Sequence, residues 1–167
     1  MGPLVADLVE TIPQVLKRPY VLFGHSLGSR IGYELMTNLR YAGLPFPRHF
    51  IASGSRPPHV PVDNKVIFNL PDEEFILELE NLRGTPKEVL ENKELIRFFM
   101  PLLRADLQIA SEYVCQPSAT INCPITVLSG TEDDLVNESD LNSWGNNFSS
   151  FNGVKMISGD HFFINSK

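Results

Sequence analysis

Residues 19–32 read PYVLFGHSLGSRIG, an apolar run that passes at once into a serine flanked by glycines. The run Tyr20–Phe23 is too short for a helix and is typical of a buried strand. Just after Gly24-His25-Ser26-Leu27-Gly28, apolar residues recur at helical spacing, at Ile31, Leu35 and Leu39. The stretch therefore predicts a strand that turns sharply into an amphipathic helix, with Ser26 at the turn.

The spacing Gly24-x-Ser26-x-Gly28 is typical of a nucleophile elbow, in which a strained turn holds a serine hydroxyl clear of a sheet. We expect a Cβ at either glycine to clash, because the chain turns so tightly there. The backbone N–H of Leu27 would face the oxyanion that forms when the serine attacks an acyl group. His25 is expected to point away from Ser26 and to pack beside the turn. An ordinary glycine-rich turn without chemistry is the alternative.

A serine nucleophile needs a base, and the base needs a carboxylate that orients it. In hydrolases with a nucleophile elbow, the chain order is serine, acid, histidine. Asp133 follows a strand that ends at Gly130, and His161 is the only histidine after it. We therefore predict Ser26, Asp133 and His161 as the catalytic residues. Asp134 stays open as the acid, because an error of one residue in the turn would exchange the two.

Strand-like apolar runs recur further along the chain, at residues 49–53, 125–128 and 154–157. Residues 60–118 have helical spacing instead, with acidic residues after Pro71, a capping-box pattern from Thr85 and a break or kink expected at Pro101. Strands that alternate with helices predict an α/β fold with a mostly parallel sheet. We thus expect one domain over residues 1–167, with a helical insert at about 60–118.

The charge and composition argue against several classes of protein. A net charge of −6 without any run of Lys or Arg disfavours nucleic acid and anionic membranes as partners. No apolar run is long enough to span a bilayer, and the N-terminus lacks the pattern of a secretory signal. Cys115 and Cys123 make no disulfide framework, and no His/Cys group has zinc spacing. We expect a cytoplasmic, soluble protein that binds no metal.

Short motifs along nearly the whole chain point to one family. They lie in the elbow at residues 23–28, the next strand and loop at 51–58, the helical strings at 70–75, 84–86 and 102–107, and the closing segments at 123–125, 130–133, 144 and 159–163. In these motifs the chain resembles the type II thioesterases, the discrete editing enzymes of nonribosomal peptide and polyketide synthases. It is also similar to the medium-chain thioesterase of fatty acid synthesis. The resemblance implies an α/β-hydrolase fold with a helical lid.

The resemblance implies a catalytic role for three residues that the sequence had already singled out. Ser26, Asp133 and His161 would be a triad that works through an acyl-enzyme intermediate, and Leu27 would donate one hydrogen bond to the oxyanion. The substrate would be an acyl or aminoacyl group on the phosphopantetheine arm of an acyl or peptidyl carrier protein. The enzyme itself would need no cofactor.

The lid would shape the acyl pocket. By the resemblance its contributors are four apolar side chains, Phe75, Phe98, Phe99 and Leu103. Their spacing is explained equally well by the packing of one helix on another. The residues alone therefore leave both interpretations open.

The resemblance also predicts that the chain is truncated and lacks the N-terminal strands of the family domain. Those strands carry a Pro-x-Ala-Gly-Gly-like loop with the second oxyanion N–H, whereas this chain begins with a helix indicated by Leu4, Leu8 and Ile12. We expect a bare edge at Tyr20–Phe23, poor solubility and little activity. Two other functions stay open, namely an esterase or lipase on the same fold and, because of the missing strands, an inactive fragment that binds carrier proteins.

Overall fold

A parallel sheet is built from the apolar runs of the sequence. In the computed structural model, which describes residues 1–14, 16–61, 66–115 and 120–165, the sheet has four strands. They are β1 (Val21–His25), β2 (His49–Ser53), β3 (Ile121–Gly130) and β4 (Phe148–Ile157). Each strand pairs in parallel with the next, in the order β1-β2-β3-β4. The predicted α/β fold is confirmed, and the segments that follow the four strands all emerge at the same edge of the sheet.

Strands β3 and β4 are longer than the apolar runs predicted. β3 begins at Ile121 and continues through Pro124, where its register with β4 shifts. Proline has no N–H to donate to the ladder, so an irregularity at this position is expected. β4 begins at Phe148 and exposes much of its length, including Ser149 and Ser150. The polar residues concealed both strand starts, because the sequence pattern marks only apolar stretches.

The first two helices of the chain pack one on the other, and the second of them packs on the sheet. Helix α1 spans Gly2–Thr11 and helix α2 spans Leu27–Tyr41. A Cβ on Gly32 would lie 2.9 Å from Cε2 of Phe50 in β2, so glycine allows α2 to approach the sheet closely. Val5 of α1 packs in turn into a cluster with Leu35 and Leu39 of α2.

The main core contains a group of aromatic side chains whose rings meet edge to face, tilted or stacked. Tyr33 of α2, Phe50 of β2, Trp144 and Phe148 lie with neighbouring ring centroids 5.8–6.2 Å apart. Trp144 lies in a 3₁₀ turn after the short helix Glu138–Asn142. Its indole N–H donates to the backbone carbonyl of Ser55 at 2.7 Å, so this buried side chain links the segments that follow β3 and β2.

Residues Val62–Tyr113 form a compact unit distinct from the one that contains the sheet, Met1–Pro61 with Val114–Lys167. Three helices make up its described part, namely α3 (Asp72–Leu82), α4 (Lys87–Glu91) and α5 (Lys93–Glu112). Their common core is formed by the buried side chains of Phe75, Leu79, Ile96 and Met100. No helix in the described part of the chain is long and apolar enough to cross a membrane.

The helix boundaries in this unit correct two predictions. Pro86 occupies the N-cap position of α4 and offers no capping side chain, so the capping box predicted from Thr85 is absent. α5 continues as one helix through Pro101, where we expected a break or kink, and no break occurs. Asn92 caps α5 instead, since its side-chain oxygen accepts from the N–H groups of Glu94 and Leu95. A capped helix with a packed face can therefore continue through a proline that removes one backbone hydrogen bond.

Candidate active site

Ser26 lies in the turn between β1 and α2, in a conformation that few non-glycine residues adopt. Its φ is +53° and its ψ −119°. A backbone held in such a region typically stores about 1–3 kcal/mol of strain. The turn is held in place by the N–H of Ser26, which donates to the carbonyl of Ser53 at 2.8 Å, and by the N–H of Ser29, which donates to the carbonyl of Ser26 at 3.0 Å. The strain and the local contacts agree with a nucleophile elbow.

The two glycines of the elbow are not equivalent, which corrects our prediction for one of them. A Cβ on Gly24 would lie 2.3 Å from the carbonyl oxygen of Gly28 and 2.6 Å from the nitrogen of Ser29. A Cβ on Gly28 would meet nothing within 4 Å. The crowding is one-sided because Gly28 lies in the first turn of α2, where its backbone is the obstacle and its own Cβ direction faces open space.

We expect Gly24→Ala to destabilise the protein by about 3 kcal/mol or more, the upper end of overpacking effects, because backbone atoms cannot turn away from the added methyl group. Gly28→Ala is the matched control, and we expect it to be neutral or to stabilise α2 by up to about 1 kcal/mol. Urea unfolding measures the free energy of unfolding of both variants in the full-length protein, by which we mean the protein with any residues that precede Met1 or follow Lys167 included. Equal losses at the two positions would show that the elbow is crowded on both sides.

His161 lies between Ser26 and Asp133 and is within hydrogen-bonding distance of both. Its Nδ1 is 2.9 Å from Oδ2 of Asp133, and its Nε2 is 3.0 Å from Oγ of Ser26. A carboxylate only accepts, so Nδ1 carries the proton and Nε2 is left to accept from the serine hydroxyl. The side chain of Asp133 is fully buried and that of His161 is 10% exposed. This is the arrangement in which an imidazole can remove the proton from a serine.

The loops after β3 and β4 bring Asp133 and His161 together. The N–H of Thr131 donates to the carbonyl of Ile157, and that of Glu132 to the carbonyl of Gly159, both at 2.9 Å. A Cβ on Gly130 would lie 2.3 Å from the carbonyl oxygen of Asp160, so the two loops approach as closely as a glycine permits. Because parallel strands end at one edge, residues distant in the chain become neighbours here.

The structure distinguishes the two adjacent acidic residues. Asp133 turns inward, where its Oδ1 accepts from the N–H of Leu135 at 3.0 Å and its Oδ2 faces His161. Asp134 is exposed to solvent. The hydrogen-bonded carboxylate is therefore that of Asp133.

His25 packs against the ring of His161, a contact that the sequence alone did not predict. Its ring centroid lies 5.0 Å from that of His161, and its Nδ1 lies 2.9 Å from Oγ of Ser53. Burial, and then the neighbouring His161, lower the pKa of His25 below its usual value, although Asp133 opposes this shift. A Cβ on Gly54, whose φ is +56°, would lie 2.8 Å from Cε1 of His25 and 3.2 Å from that of His161. His25 and Gly54 therefore help to define the space that the imidazole of His161 occupies.

The four side chains proposed for the acyl pocket belong to the helical unit. Phe75 is fully buried, and the guanidinium of Arg104 lies over its ring at 4.2 Å from the centroid. Leu103 packs against the same core. Phe98 is 76% exposed and meets the half-buried Phe99 edge to face. Packing thus accounts for Phe75 and Leu103, and a role of any of the four in substrate binding stays a prediction.

No group of three or more His, Cys, Asp or Glu side chains within residues 1–14, 16–61, 66–115 and 120–165 is placed to hold a metal ion. Two other histidines have polar neighbours elsewhere, since His49 lies 2.9 Å from Oγ1 of Thr126 and His59 accepts from the amide of Asn147 at 3.1 Å.

Comparison with known proteins identifies relatives over the whole chain. Residues 1–167 match the thioesterase domain family. The chain is 36% identical to a Brevibacillus parabrevis protein named linear gramicidin dehydrogenase LgrE, over 100% of this chain and 65% of LgrE. The structure of RedJ, a thioesterase of the prodiginine pathway in Streptomyces coelicolor, matches with a TM-score of 0.90 and 31% identity, over 100% of this chain and 66% of RedJ.

A second solved structure is described as a type II thioesterase from the yersiniabactin NRPS/PKS biosynthetic pathway, YbtT. It matches with a TM-score of 0.85 and 31% identity, over 96% of this chain and 66% of YbtT. The resemblance to type II thioesterases is thus confirmed, while the chain spans somewhat less than two thirds of the length of these relatives. The match of every residue to one family model leads to a single assignment: the chain belongs to the thioesterase domain family.

Proposed function

We propose that the protein hydrolyses acyl or aminoacyl thioesters on the phosphopantetheine arm of a carrier protein. The observation that carries the proposal is the continuous series of hydrogen-bonding contacts from Asp133 through His161 to Ser26, in a chain of the thioesterase domain family. Relatives described as type II thioesterases, among them one from an NRPS/PKS pathway, favour a carrier-bound substrate over a free one.

In the first half of the reaction, Oγ of Ser26 attacks the carbonyl carbon of the thioester while Nε2 of His161 takes the hydroxyl proton. The carboxylate of Asp133 holds the imidazole in orientation and stabilises its positive charge. The carbon–sulfur bond then breaks, and His161 returns the proton to the departing thiolate. The products are the free pantetheine thiol and an ester between the acyl group and Ser26.

In the second half, a water molecule takes the place of the serine hydroxyl. His161 removes one of its protons, the resulting hydroxide attacks the acyl ester, and the proton returns to Oγ of Ser26 as the carboxylic acid leaves. Leu27 is the first residue of α2, so its N–H has no acceptor within the helix. We propose that this N–H donates to the oxyanion in both halves.

The substrate class is tested with a matched pair of compounds that carry the same acyl chain, an acyl-pantetheine thioester and the corresponding oxygen ester. We expect the full-length protein to show a kcat/KM for the thioester at least about tenfold higher, equivalent to about 1.4 kcal/mol in activation free energy. The same acyl group loaded on a carrier protein should be hydrolysed with a lower KM. An equal or higher rate on the oxygen ester would favour the esterase alternative. Binding of the loaded carrier protein without turnover would favour an inactive binding role.

A further inference from the structure

Arg56 is a buried charge that the proposed reaction does not use. It lies in the loop after β2, in the sequence Ser55-Arg56-Pro57, and is only 9% exposed. Its Nη2 donates to the backbone carbonyl of Leu135 at 2.6 Å, and its Nη1 donates to the carbonyl of Pro61 at 3.3 Å. A guanidinium that is largely removed from water must regain hydrogen bonds of this kind, since an unpaired buried charge is strongly unfavourable.

Arg56 and Asp133 share one hydrogen-bonding partner, the backbone of Leu135. Leu135 accepts from Arg56 through its carbonyl, and donates through its N–H to Oδ1 of Asp133 at 3.0 Å. The other oxygen of Asp133 faces His161 at 2.9 Å. One residue of backbone therefore lies between the guanidinium and the acid that orients the imidazole.

Two further contacts anchor the Arg56 side of this connection. The carbonyl of Ser55, directly before Arg56, accepts from the indole N–H of Trp144 at 2.7 Å. On the other side, Nη1 of Arg56 lies 3.6 Å from Oδ2 of Asp140. Asp140 is itself fixed by Asn137, whose amide donates to the same carboxylate oxygen at 3.0 Å. The guanidinium thus spans the loops after β2 and β3 with little freedom to move.

We propose that Arg56 is a positioning residue that keeps the carboxylate of Asp133 aimed at His161. This inference rests on the proposed function, because it assigns Asp133 the orienting role. A buried ion pair is weak grounds for stability, since apolar residues of similar volume often stabilise a protein as well. The planar fork of an arginine supplies something that they cannot, namely fixed donors for the carbonyl of Leu135 and for a second acceptor. Without it the turn around Asp133 can relax, although the carboxylate itself remains.

The test compares three variants of the full-length protein, Arg56→Ala, Arg56→Lys and Arg48→Ala. Arg48 is the matched control, because it is exposed and precedes the amino end of the same strand β2. We expect Arg56→Ala to lower kcat about 100-fold with KM unchanged, the loss that a misplacement of about 1 Å can cause. Added ethylguanidinium should restore part of the rate to Arg56→Ala and none to Asp133→Asn. Arg48→Ala should behave as the unmodified protein.

A readout that needs no turnover separates this proposal from the proposed function. The proton on Nδ1 of His161 should give a far-downfield proton resonance that disappears in Asp133→Asn and broadens or shifts in Arg56→Ala. An unchanged resonance and a normal kcat in folded Arg56→Ala would overturn the positioning role, whatever its melting temperature. If Arg56→Ala does not fold, the same two measurements on Arg56→Lys decide the question, with a loss of about tenfold in kcat expected. Absence of Ser26-dependent hydrolysis in the unmodified protein would refute the proposed function and leave the resonance test intact.

Discussion

Ser26→Ala is expected to lower kcat for thioester hydrolysis by about 10⁶-fold, the loss seen when a serine hydrolase loses its nucleophile, with the fold unchanged. The hydroxyl of Ser26 makes its hydrogen bond to His161, while the turn itself is held by the backbone groups of Ser26. Alanine keeps those backbone groups and a Cβ of the same size. A fluorophosphonate probe should label the unmodified full-length protein and leave the variant unlabelled, with equal melting temperatures.

Ser29→Ala provides the matched control for this result. The hydroxyl of Ser29 is buried, donates to the carbonyl of Gly24 at 2.7 Å and accepts from the N–H of Ser53 at 3.0 Å. Its loss leaves buried polar groups unpaired and should cost about 1–3 kcal/mol in stability. Labelling by the probe should nevertheless persist. Labelling that survived in Ser26→Ala would assign the nucleophile to another residue.

Asp133→Asn is expected to lower kcat by about 10⁴-fold, since an amide in place of the carboxylate favours the wrong tautomer of the histidine. The structure gives the reason for choosing this residue, because Oδ2 of Asp133 lies 2.9 Å from Nδ1 of His161 and the side chain is fully buried. Steady-state kinetics with an acyl-pantetheine thioester measure the effect.

Asp134→Asn is the control, and its kcat should change by less than about twofold, because the carboxylate that faces His161 is that of Asp133 and Asp134 is exposed. Asp134 is exposed and adjacent in the chain, so the two variants differ in position by a single residue. A large loss for Asp134→Asn with a small one for Asp133→Asn would contradict the assignment and would mean that the turn adopts another register during catalysis.

The elbow could be predicted from the sequence because its causes are local. A strand that turns so sharply into a helix requires a glycine where a Cβ would clash, and the sequence shows this glycine, Gly24, two residues before Ser26. The parallel sheet was equally predictable, since apolar runs separated by helices have few other ways to pack. The strand starts at Ile121 and Phe148 were missed, because the exposed polar residues after them carry no signal of pairing.

Two other outcomes differ from the prediction, because a local rule that holds in general depends in this protein on atoms that the local sequence does not specify. A Cβ at Gly28 was expected to clash, yet it faces open space. Pro101 was expected to break or kink its helix, and the break does not occur, since α5 runs through this residue. In both cases the outcome depends on which neighbouring atoms occupy a given direction, and residue spacing alone does not contain that information.

By itself, the sequence determined the fold class, the identity of the nucleophile candidate and the chain order of Ser26, Asp133 and His161. The fold class and the nucleophile candidate follow from short-range apolar spacing and from the backbone sterics of the elbow, and the chain order follows from the order that hydrolases with such an elbow share. Only the tertiary structure showed that the carboxylate facing His161 is that of Asp133, placed His25 beside His161, and brought Arg56 to a carbonyl 79 residues away. Such contacts form where the ends of parallel strands meet, and their distances are set by the packing of the whole sheet, which no local stretch of sequence encodes.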